Sequence, residues 1–206
     1  MRIALVSGGK DSYYAVYKYG SIDIALILFY EFPRPSPHLI NLGKSVESML
    51  LAGIPVVVAR ARRGREPADT IEILRLLNAT TIIAGDVYIE DHLKYMENIS
   101  REVGARLVEP LWGLEPAELL RKEIEDGIEP LIIGSDERVV EWIGRVLDRD
   151  NIDLFIESAR TRDFDPLGER GEYHTIVVNG PMHRSRLEYK IAGVERFNGY
   201  SVLRLI

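Results

Sequence analysis

The amino-acid sequence predicts an α/β protein, a doubly wound parallel sheet with a second, smaller α/β lobe. Two observations support this fold: short uninterrupted apolar runs alternate with amphipathic segments, and the alternation becomes less regular after Pro110. A chain of 206 residues is long enough to bury a substantial core. We therefore expect one domain over residues 1–108 and a second over residues 109–206.

Five apolar runs in the first domain predict the strands, and four amphipathic segments predict the helices between them. Uninterrupted runs such as "DIALILFY" (23–30) are typical of strands that helices cover on both faces. The prolines at 33, 35 and 37 predict a loop over residues 31–41 rather than a helix. The predicted strands are 1–6, 23–30, 54–61, 81–85 and 105–111, and the predicted helices are 11–19, 42–53, 67–79 and 91–104.

The second domain continues the pattern less cleanly. The segment "EPAELLRKEIEDG" (115–127) predicts a helix, "IEPLIIGS" (128–135) a strand, and "ERVVEWIGRVLD" (137–148) a further helix. From residue 165 to the final run "YSVLRLI" (200–206) the residue types favour strands. This half of the chain is therefore expected to be a smaller lobe of mixed α/β structure.

Composition excludes several classes of protein. The chain lacks cysteine, so a disulfide, a cysteine-ligated metal or cluster and a thiol nucleophile are all excluded within it. Its net charge of −6 predicts no direct nucleic-acid binding, and no run approaches the roughly 18 apolar residues of a membrane span. The first apolar run is too short for a signal peptide, so we expect a cytoplasmic protein. Absence of glutamine as well as cysteine indicates a thermophile.

The stretch "SGGKDS" (7–12) carries the clearest functional signal. Glycines after a buried strand let backbone N–H groups approach an anion, and the following helix N-terminus adds partial positive charge. Lys10 can reach phosphate oxygens, whereas Asp11 beside a phosphate makes sense as a ligand of Mg²⁺. The spacing does not fit a Walker A motif, which needs four residues between its first glycine and Gly-Lys.

The same stretch resembles the PP-loop of the ATP pyrophosphatases, enzymes with the adenine-nucleotide α-hydrolase-like (HUP type) fold. The resemblance implies ATP and Mg²⁺ as cofactors, cleavage of ATP between the α- and β-phosphates, and adenylation of an acceptor. It also implies an ATP-binding domain over 1–108 and a substrate-binding lobe over 109–206. The residues it assigns to ATP are Ser7, Gly8, Gly9, Lys10, Asp11, Ser12, His38, Gly85 and Asp86, with Asp11 as the candidate metal ligand.

A second stretch, "GERGEYHT" (168–175), resembles the signature of the diphthine–ammonia ligases, which complete diphthamide on elongation factor 2. The stretches "PHLIN" (37–41), "AGIPVV" (52–57), "AGD" (84–86) and "EPLW" (109–112) agree with this family in order and spacing. The resemblance implies an acyl-adenylate that reacts with ammonia, releasing AMP and pyrophosphate. Elongation factor 2 is then the protein substrate and ammonium the nitrogen source.

One residue departs from the family pattern. His174 stands where diphthamide-forming sequences typically have glutamate, and this feature resembles a sister branch found in bacteria, which lack diphthamide. Two alternatives therefore stay open: the same chemistry on a small-molecule carboxylate, and a non-catalytic sensor that binds ATP or AMP. The sequence also leaves the oligomeric state open, a homo-oligomer included.

Individual roles follow from the two resemblances. We expect Lys10, Glu172 and His174 to be catalytic, with Glu172 and His174 on one face of a strand and Tyr173 on the other. The expected substrate-binding residues are Trp112, Glu169 and Glu172.

Each candidate also has a structural interpretation. Asp86 is equally suited to cap the helix that follows it, and His38 to lie exposed in a loop. A core position is the more usual interpretation of Trp112, and a solvated loop is the more usual interpretation of the arginines of "RARRGR" (60–65), rather than a site for an acidic partner. Glu169, Glu172 and His174 are also compatible with solvated side chains at the rim of a β-hairpin. His92 and His183 receive no assignment.

Overall fold

The computed structural model describes residues 1–30 and 36–206, and these ranges form two sheets. The first sheet is parallel, with five strands in the order β3-β2-β1-β4-β5. Its strands and helices are β1 (Arg2–Leu5), α1 (Lys10–Tyr19), β2 (Ile24–Tyr30), α2 (Pro37–Ile40), α3 (Leu42–Leu51), β3 (Val56–Ala61), α4 (Glu66–Leu76), β4 (Thr81–Ile83), α5 (Glu90–Val103) and β5 (Arg106–Val108).

Helices cover both faces of this parallel sheet. Tyr13 of α1 and Met49 of α3 are buried on one face, in a cluster that continues into the second half of the chain. Leu74 of α4 and Ile99 of α5 are buried on the opposite face. The predicted doubly wound α/β fold is confirmed. Because β2 and β3 lie on one side of β1 and β4 and β5 on the other, the strand order reverses between β1 and β4, and their carboxyl ends open a crevice at the point where such sheets place ligands.

The second sheet is smaller and antiparallel, with strand order β7-β6-β9-β8. It forms the predicted second lobe together with two helices. Its elements are α6 (Pro116–Glu125), β6 (Glu129–Asp136), a 3₁₀ turn (Val140–Trp142), α7 (Ile152–Arg162), β7 (Tyr173–Asn179), β8 (Ile191–Phe197) and β9 (Tyr200–Leu205).

Two secondary-structure predictions were wrong. The segment 137–148 is not a helix, because after its short 3₁₀ turn Gly144 takes a positive φ of 79° and the chain returns along β6. Hydrogen bonds of Ile132 with Arg145 and Gly144 hold it there. The predicted loop over 31–41 contains the short helix α2, in which Pro37 takes a first-turn position that needs no N–H donor; residues 31–35 lie outside the described ranges.

Strand β7 of the second sheet lies directly against the first domain. The Val177 N–H donates to the Gly8 carbonyl at 3.0 Å, and the Ser48 hydroxyl donates to the Val177 carbonyl at 2.8 Å. The Lys10 N–H donates to Thr175 Oγ1 at 3.2 Å. These bonds bring the "SGGKDS" and "GERGEYHT" stretches to a common site. In the described part of the chain, no helix is long and apolar enough to cross a membrane.

Candidate active site at the glycine turn

The glycine turn between β1 and α1 is held in a single conformation by its own hydrogen bonds. The Gly9 N–H donates to Ser7 Oγ at 3.2 Å, and the Ser12 hydroxyl donates to the Gly9 carbonyl at 3.1 Å. Gly8 has a φ of +88°, and a Cβ there would lie 2.8 Å from Ser45 Cβ. Only glycine adopts this φ without strain and has no Cβ to clash with Ser45, so the turn requires glycine at position 8.

Lys10 is buried with its ammonium group at the wall of the site. Its Nζ donates to Asp11 Oδ1 at 2.6 Å and to the Leu167 carbonyl at 2.9 Å. Burial opposes the positive charge, but the neighbouring acidic groups, Asp11 first, outweigh it and hold the pKa of Lys10 well above its usual range. The site therefore contains a fixed positive charge at neutral pH.

A cavity of about 210 Å³, which we call the turn cavity, opens between the glycine turn and the second lobe. It brings together most of the residues expected at an ATP site, although they come from four separate segments. The residues around it are Ser7, Gly9, Lys10, Asp11, His38, Asp86, His92, Leu167, Gly168, Glu169, Gly171, Tyr173, His174 and Thr175. His92, Tyr173 and Thr175 have no role in the sequence-based assignment.

A second cavity of about 300 Å³, the apolar cavity, adjoins it at the carboxyl ends of β1, β2 and β4. Gly85 permits the close approach of β4 to α1, because a Cβ there would lie 3.0 Å from the Asp11 carbonyl oxygen. The residues around this cavity are Leu5, Val6, Ser7, Asp11, Ser12, Leu26, Leu28, Tyr30, Ala84, Gly85, Asp86, Met96 and Glu169. Its mixture of apolar walls and a polar edge is typical of small-molecule sites.

Carboxyl groups converge where the two cavities meet. The Asp86 N–H donates to Glu109 Oε2 at 3.2 Å. Burial and then the charge of Asp86 raise the pKa of Glu109 to about 8, and burial and then the charge of Asp11 raise that of Glu169 to about 8. Burial also raises the pKa of Asp86. The alternative of Asp86 as a helix cap was wrong, because the N-cap of α5 is Ile89.

Two uncharged histidines form the other side of the turn cavity. The rings of His38 and His174 meet edge to face, with centroids 5.3 Å apart. Burial, and then the other histidine, lower the pKa of His38 to about 3; burial, and then the Lys10 charge, lower that of His174 to about 4. Both imidazoles are therefore neutral at physiological pH and offer lone pairs and N–H donors. His38 lies on α2 rather than in an exposed loop.

Two of the expected substrate residues lie outside both cavities. Glu172 precedes β7 instead of lying on it, and its buried carboxylate accepts the Asp165 N–H at 3.2 Å and the Arg170 N–H at 3.1 Å. The expectation that Glu172 and His174 share a face of β7 was wrong because β7 begins at Tyr173; the Tyr173 ring packs on Phe155, whereas the His174 ring packs on His38. Trp112 is half-buried in the turn after β5, and neither cavity includes it.

The arginine run 60–65 also has a structural role. Both Arg62 and Arg65 pair with the buried carboxylate of Asp69 on α4, at 2.7 Å and 3.5 Å. The Arg62 N–H also donates to this carboxylate, at 2.8 Å. These contacts connect the end of β3 to α4.

Glu123 on α6 is a buried acid that the sequence did not single out. Its side chain is fully buried, and neither carboxyl oxygen has a hydrogen-bond partner among residues 1–30 and 36–206. Burial, and then the charge of Asp11, raise its pKa well above the usual range, while the charge of Lys10 opposes this shift. Glu123 therefore holds a proton in the folded state at pH values where the unfolded chain releases it.

Replacing Glu123 with glutamine tests this protonation. Above pH 4.5 the unfolded chain releases the Glu123 proton and folding must take it up again, so the contribution of Glu123 to stability falls as the pH rises towards its folded-state pKa; the variant lacks this contribution. We expect the stability advantage of Glu123→Gln to grow between pH 5 and pH 8, by up to about 1.4 kcal/mol per pH unit. Urea unfolding at several pH values measures it, with the exposed Glu118→Gln on the same helix as control. An advantage that does not change with pH contradicts the assignment.

The fold and the turn together define a class of protein. A glycine turn between a parallel strand and a helix N-terminus, with lysine and aspartate at its end, is the arrangement of α/β proteins that bind phosphate groups at this sheet edge. Two family models match the chain: the diphthamide synthase N-terminal domain over residues 1–107, and the diphthamide synthase C-terminal domain over residues 115–203. The chain therefore belongs to the diphthamide synthase family.

Membership of this family supports a function like that of the diphthine–ammonia ligases and the use of ATP. Among solved structures, the predicted subunit of a tRNA methyltransferase from Methanocaldococcus jannaschii DSM is similar to this chain, with a TM-score of 0.46 and 15% identity. That similarity covers 87% of this chain and 97% of the other. The search of curated proteins gave no match.

Proposed function

We propose that this protein is an ATP-dependent amide ligase that activates a carboxylate as its acyl-adenylate and transfers it to ammonia. The leading acceptor is diphthine on elongation factor 2. The observation that carries the proposal is the position of the Lys10 ammonium and the glycine turn, which lie in one cavity together with the "GERGEYHT" stretch. Family membership supports the same reaction class.

The two adjoining cavities suit the parts of ATP. The apolar cavity at the ends of β1, β2 and β4 fits a purine base, and the turn cavity offers backbone N–H groups and Lys10 to the phosphates. The resemblance to PP-loop enzymes assigned His38 to the adenosine end, but His38 borders the turn cavity and not the apolar one. We therefore propose that His38 contacts phosphate or acceptor.

Mg²⁺ is part of the proposed reaction, and the residues present fit it. Asp11 and Asp86 line both cavities, and carboxylate oxygens are the ligands that Mg²⁺ prefers. When bound, the ion neutralises charge on the departing pyrophosphate. Lys10 contributes to the same neutralisation from a position fixed by Asp11 and the Leu167 carbonyl, so little reorganisation is needed when charge develops.

The reaction consists of two displacements. A carboxylate oxygen of the acceptor attacks the α-phosphorus, and the bond to the β-phosphate oxygen breaks to release pyrophosphate. Ammonia then attacks the acyl carbon, the acyl–oxygen bond breaks, AMP leaves with the carboxylate oxygen, and the nitrogen loses one proton to solvent. The neutral imidazole of His174 can accept an N–H hydrogen bond from ammonia and hold it beside the acyl group. We assign Trp112 and Glu172 no part in these steps, because neither lines the turn cavity or the apolar cavity; Glu172 lines a separate cavity of about 510 Å³.

A second candidate function is the same chemistry on a small-molecule carboxylate. The observation that favours it is His174, which stands in place of the glutamate typical of diphthamide-forming ligases and borders the turn cavity directly. A carboxylate attracts the trimethylammonium group of a cationic acceptor such as diphthine, whereas the neutral imidazole of His174 supplies no negative charge.

The test is the formation of AMP and pyrophosphate from ATP, Mg²⁺ and ammonium. We expect turnover with elongation factor 2 that carries diphthine and none with the factor whose histidine is unmodified. Turnover without the factor, on a small carboxylate, would support the second candidate instead. ATP binding without turnover on either acceptor would contradict both and favour a nucleotide sensor.

A further inference from the structure

Asp86, His92 and Glu169 bring three potential metal ligands together at the rim of the turn cavity. One ligand atom from each lies within 4.8 Å of the other two, and His92 Nδ1 is 3.3 Å from Asp86 Oδ1. The residues come from the turn after β4, the first turn of α5 and the loop before β7. Asp86 and His92 are close in sequence, and the tertiary fold brings Glu169 to them.

Acidic side chains around these ligands outnumber the basic side chains that the described residues place there. Four carboxyl groups lie here, those of Asp11, Asp86, Glu109 and Glu169, and no arginine lines the cavity in the described part of the chain. The ammonium of Lys10 is directed to Asp11 and a backbone carbonyl. Such a group of acids gains stability from a bound cation.

Two further observations distinguish this group from a chance cluster of surface acids. Glu109 Oε1 is buried and has no hydrogen-bond partner among residues 1–30 and 36–206, while its Oε2 accepts the Asp86 N–H and fixes that residue. The set also includes the His92 imidazole, whose side chain is 53% exposed, so the site has an open approach from solvent. Imidazole adds a nitrogen ligand to two oxygen ligands.

We propose that Asp86, His92 and Glu169 bind a divalent first-row transition metal ion such as Mn²⁺, Co²⁺ or Zn²⁺. One imidazole with two carboxylates suits these ions, whereas Mg²⁺ prefers oxygen ligands alone. Ligand atoms around one ion are at most about 4.2 Å apart when each bond is about 2.1 Å, so small side-chain rotations complete the site. This goes beyond the proposed function, because the ion binds without nucleotide.

The test uses the full chain without an affinity tag, Mn²⁺ as the probe, and no nucleotide. Electron paramagnetic resonance counts the free Mn²⁺, and its pulsed form detects a directly bound imidazole nitrogen. We expect one Mn²⁺ per chain with a nitrogen signature. His92→Ala should remove that signature and weaken binding by about tenfold or more, and Glu169→Gln should weaken binding by a similar factor.

The control is Asp91→Asn, an exposed neighbour of His92 on the same helix. It removes one negative charge beside the site but no proposed ligand, so binding should change by less than about twofold. Failure to bind Mn²⁺ without ATP, or binding without a nitrogen signature, would overturn the proposal. AMP formation with Mg²⁺ is measured separately, so that loss of the metal site and loss of the proposed reaction are distinguishable.

Discussion

Replacing Lys10 with methionine should reduce AMP and pyrophosphate formation by about a hundredfold to a thousandfold. Its ammonium is the only lysine nitrogen at the turn cavity in the described part of the chain, and two oxygens hold it in place there. Methionine keeps the length of the side chain and suits a buried position, so the fold should persist. Steady-state turnover, with a thermal melt to verify folding, measures the effect.

The matched control is Lys18→Met at the other end of α1. Lys18 is exposed and contacts the Tyr14 ring, with Nζ 5.7 Å from its centroid. Removing the same charge from the same helix should leave turnover within about twofold of wild type. Equal losses in the two variants, or full activity of Lys10→Met, would contradict the role of Lys10.

Replacing Gly8 with alanine should destabilise the turn and weaken ATP binding at least about tenfold. At a φ of +88° an alanine pays a backbone penalty of about 1–3 kcal/mol. Its Cβ would also lie 2.8 Å from Ser45 Cβ and 3.0 Å from Ser45 Cα, so helix α3 or the turn must shift. Calorimetric titration with a non-hydrolysable ATP analogue and a thermal melt measure the two effects.

Gly43→Ala provides the control for Gly8. Gly43 lies on α3, its φ is not positive, and no atom lies within 4 Å of the position a Cβ would take. Alanine there should leave nucleotide affinity unchanged and add up to about 1 kcal/mol of stability through helix propensity. A Gly8→Ala chain that binds the analogue as tightly as Gly43→Ala would show that the turn does not contact the phosphates.

The sequence predicted the parallel sheet well because its strands carry their own signal. Buried runs such as residues 23–30 are apolar throughout, and their alternation with helices leaves few topologies. The errors fall where one residue overrides the pattern: Gly144 turns the segment 137–148 back along β6. Helix α7 was not among the predicted elements, although its apolar residues Ile152, Phe155 and Ile156 have helical spacing and are buried.

Much of the site could be predicted from short motifs and from the family resemblance, which named His38, Asp86, Glu169 and His174 as well as the glycine turn. Lys10 and Asp11 follow a strand within one short motif, so local reasoning reaches them. Glu109 is distant in sequence and meets Asp86 only through the fold, so no sequence spacing reveals it; His92 follows Asp86 by six residues but matches no motif that would single it out. Glu172 was assigned from the "GERGEYHT" signature and was expected to share a strand face with His174, but β7 begins at Tyr173.

The most direct test of the central claim follows the oxygen atoms of the acceptor carboxylate. Diphthine on elongation factor 2 is labelled with oxygen-18 in its carboxylate and incubated with the protein, ATP, Mg²⁺ and ammonium. If the carboxylate attacks the α-phosphorus, mass spectrometry should find one labelled oxygen in AMP for each amide formed, and the other in the amide. Amide formation with unlabelled AMP, or no amide at all, would contradict activation through an acyl-adenylate.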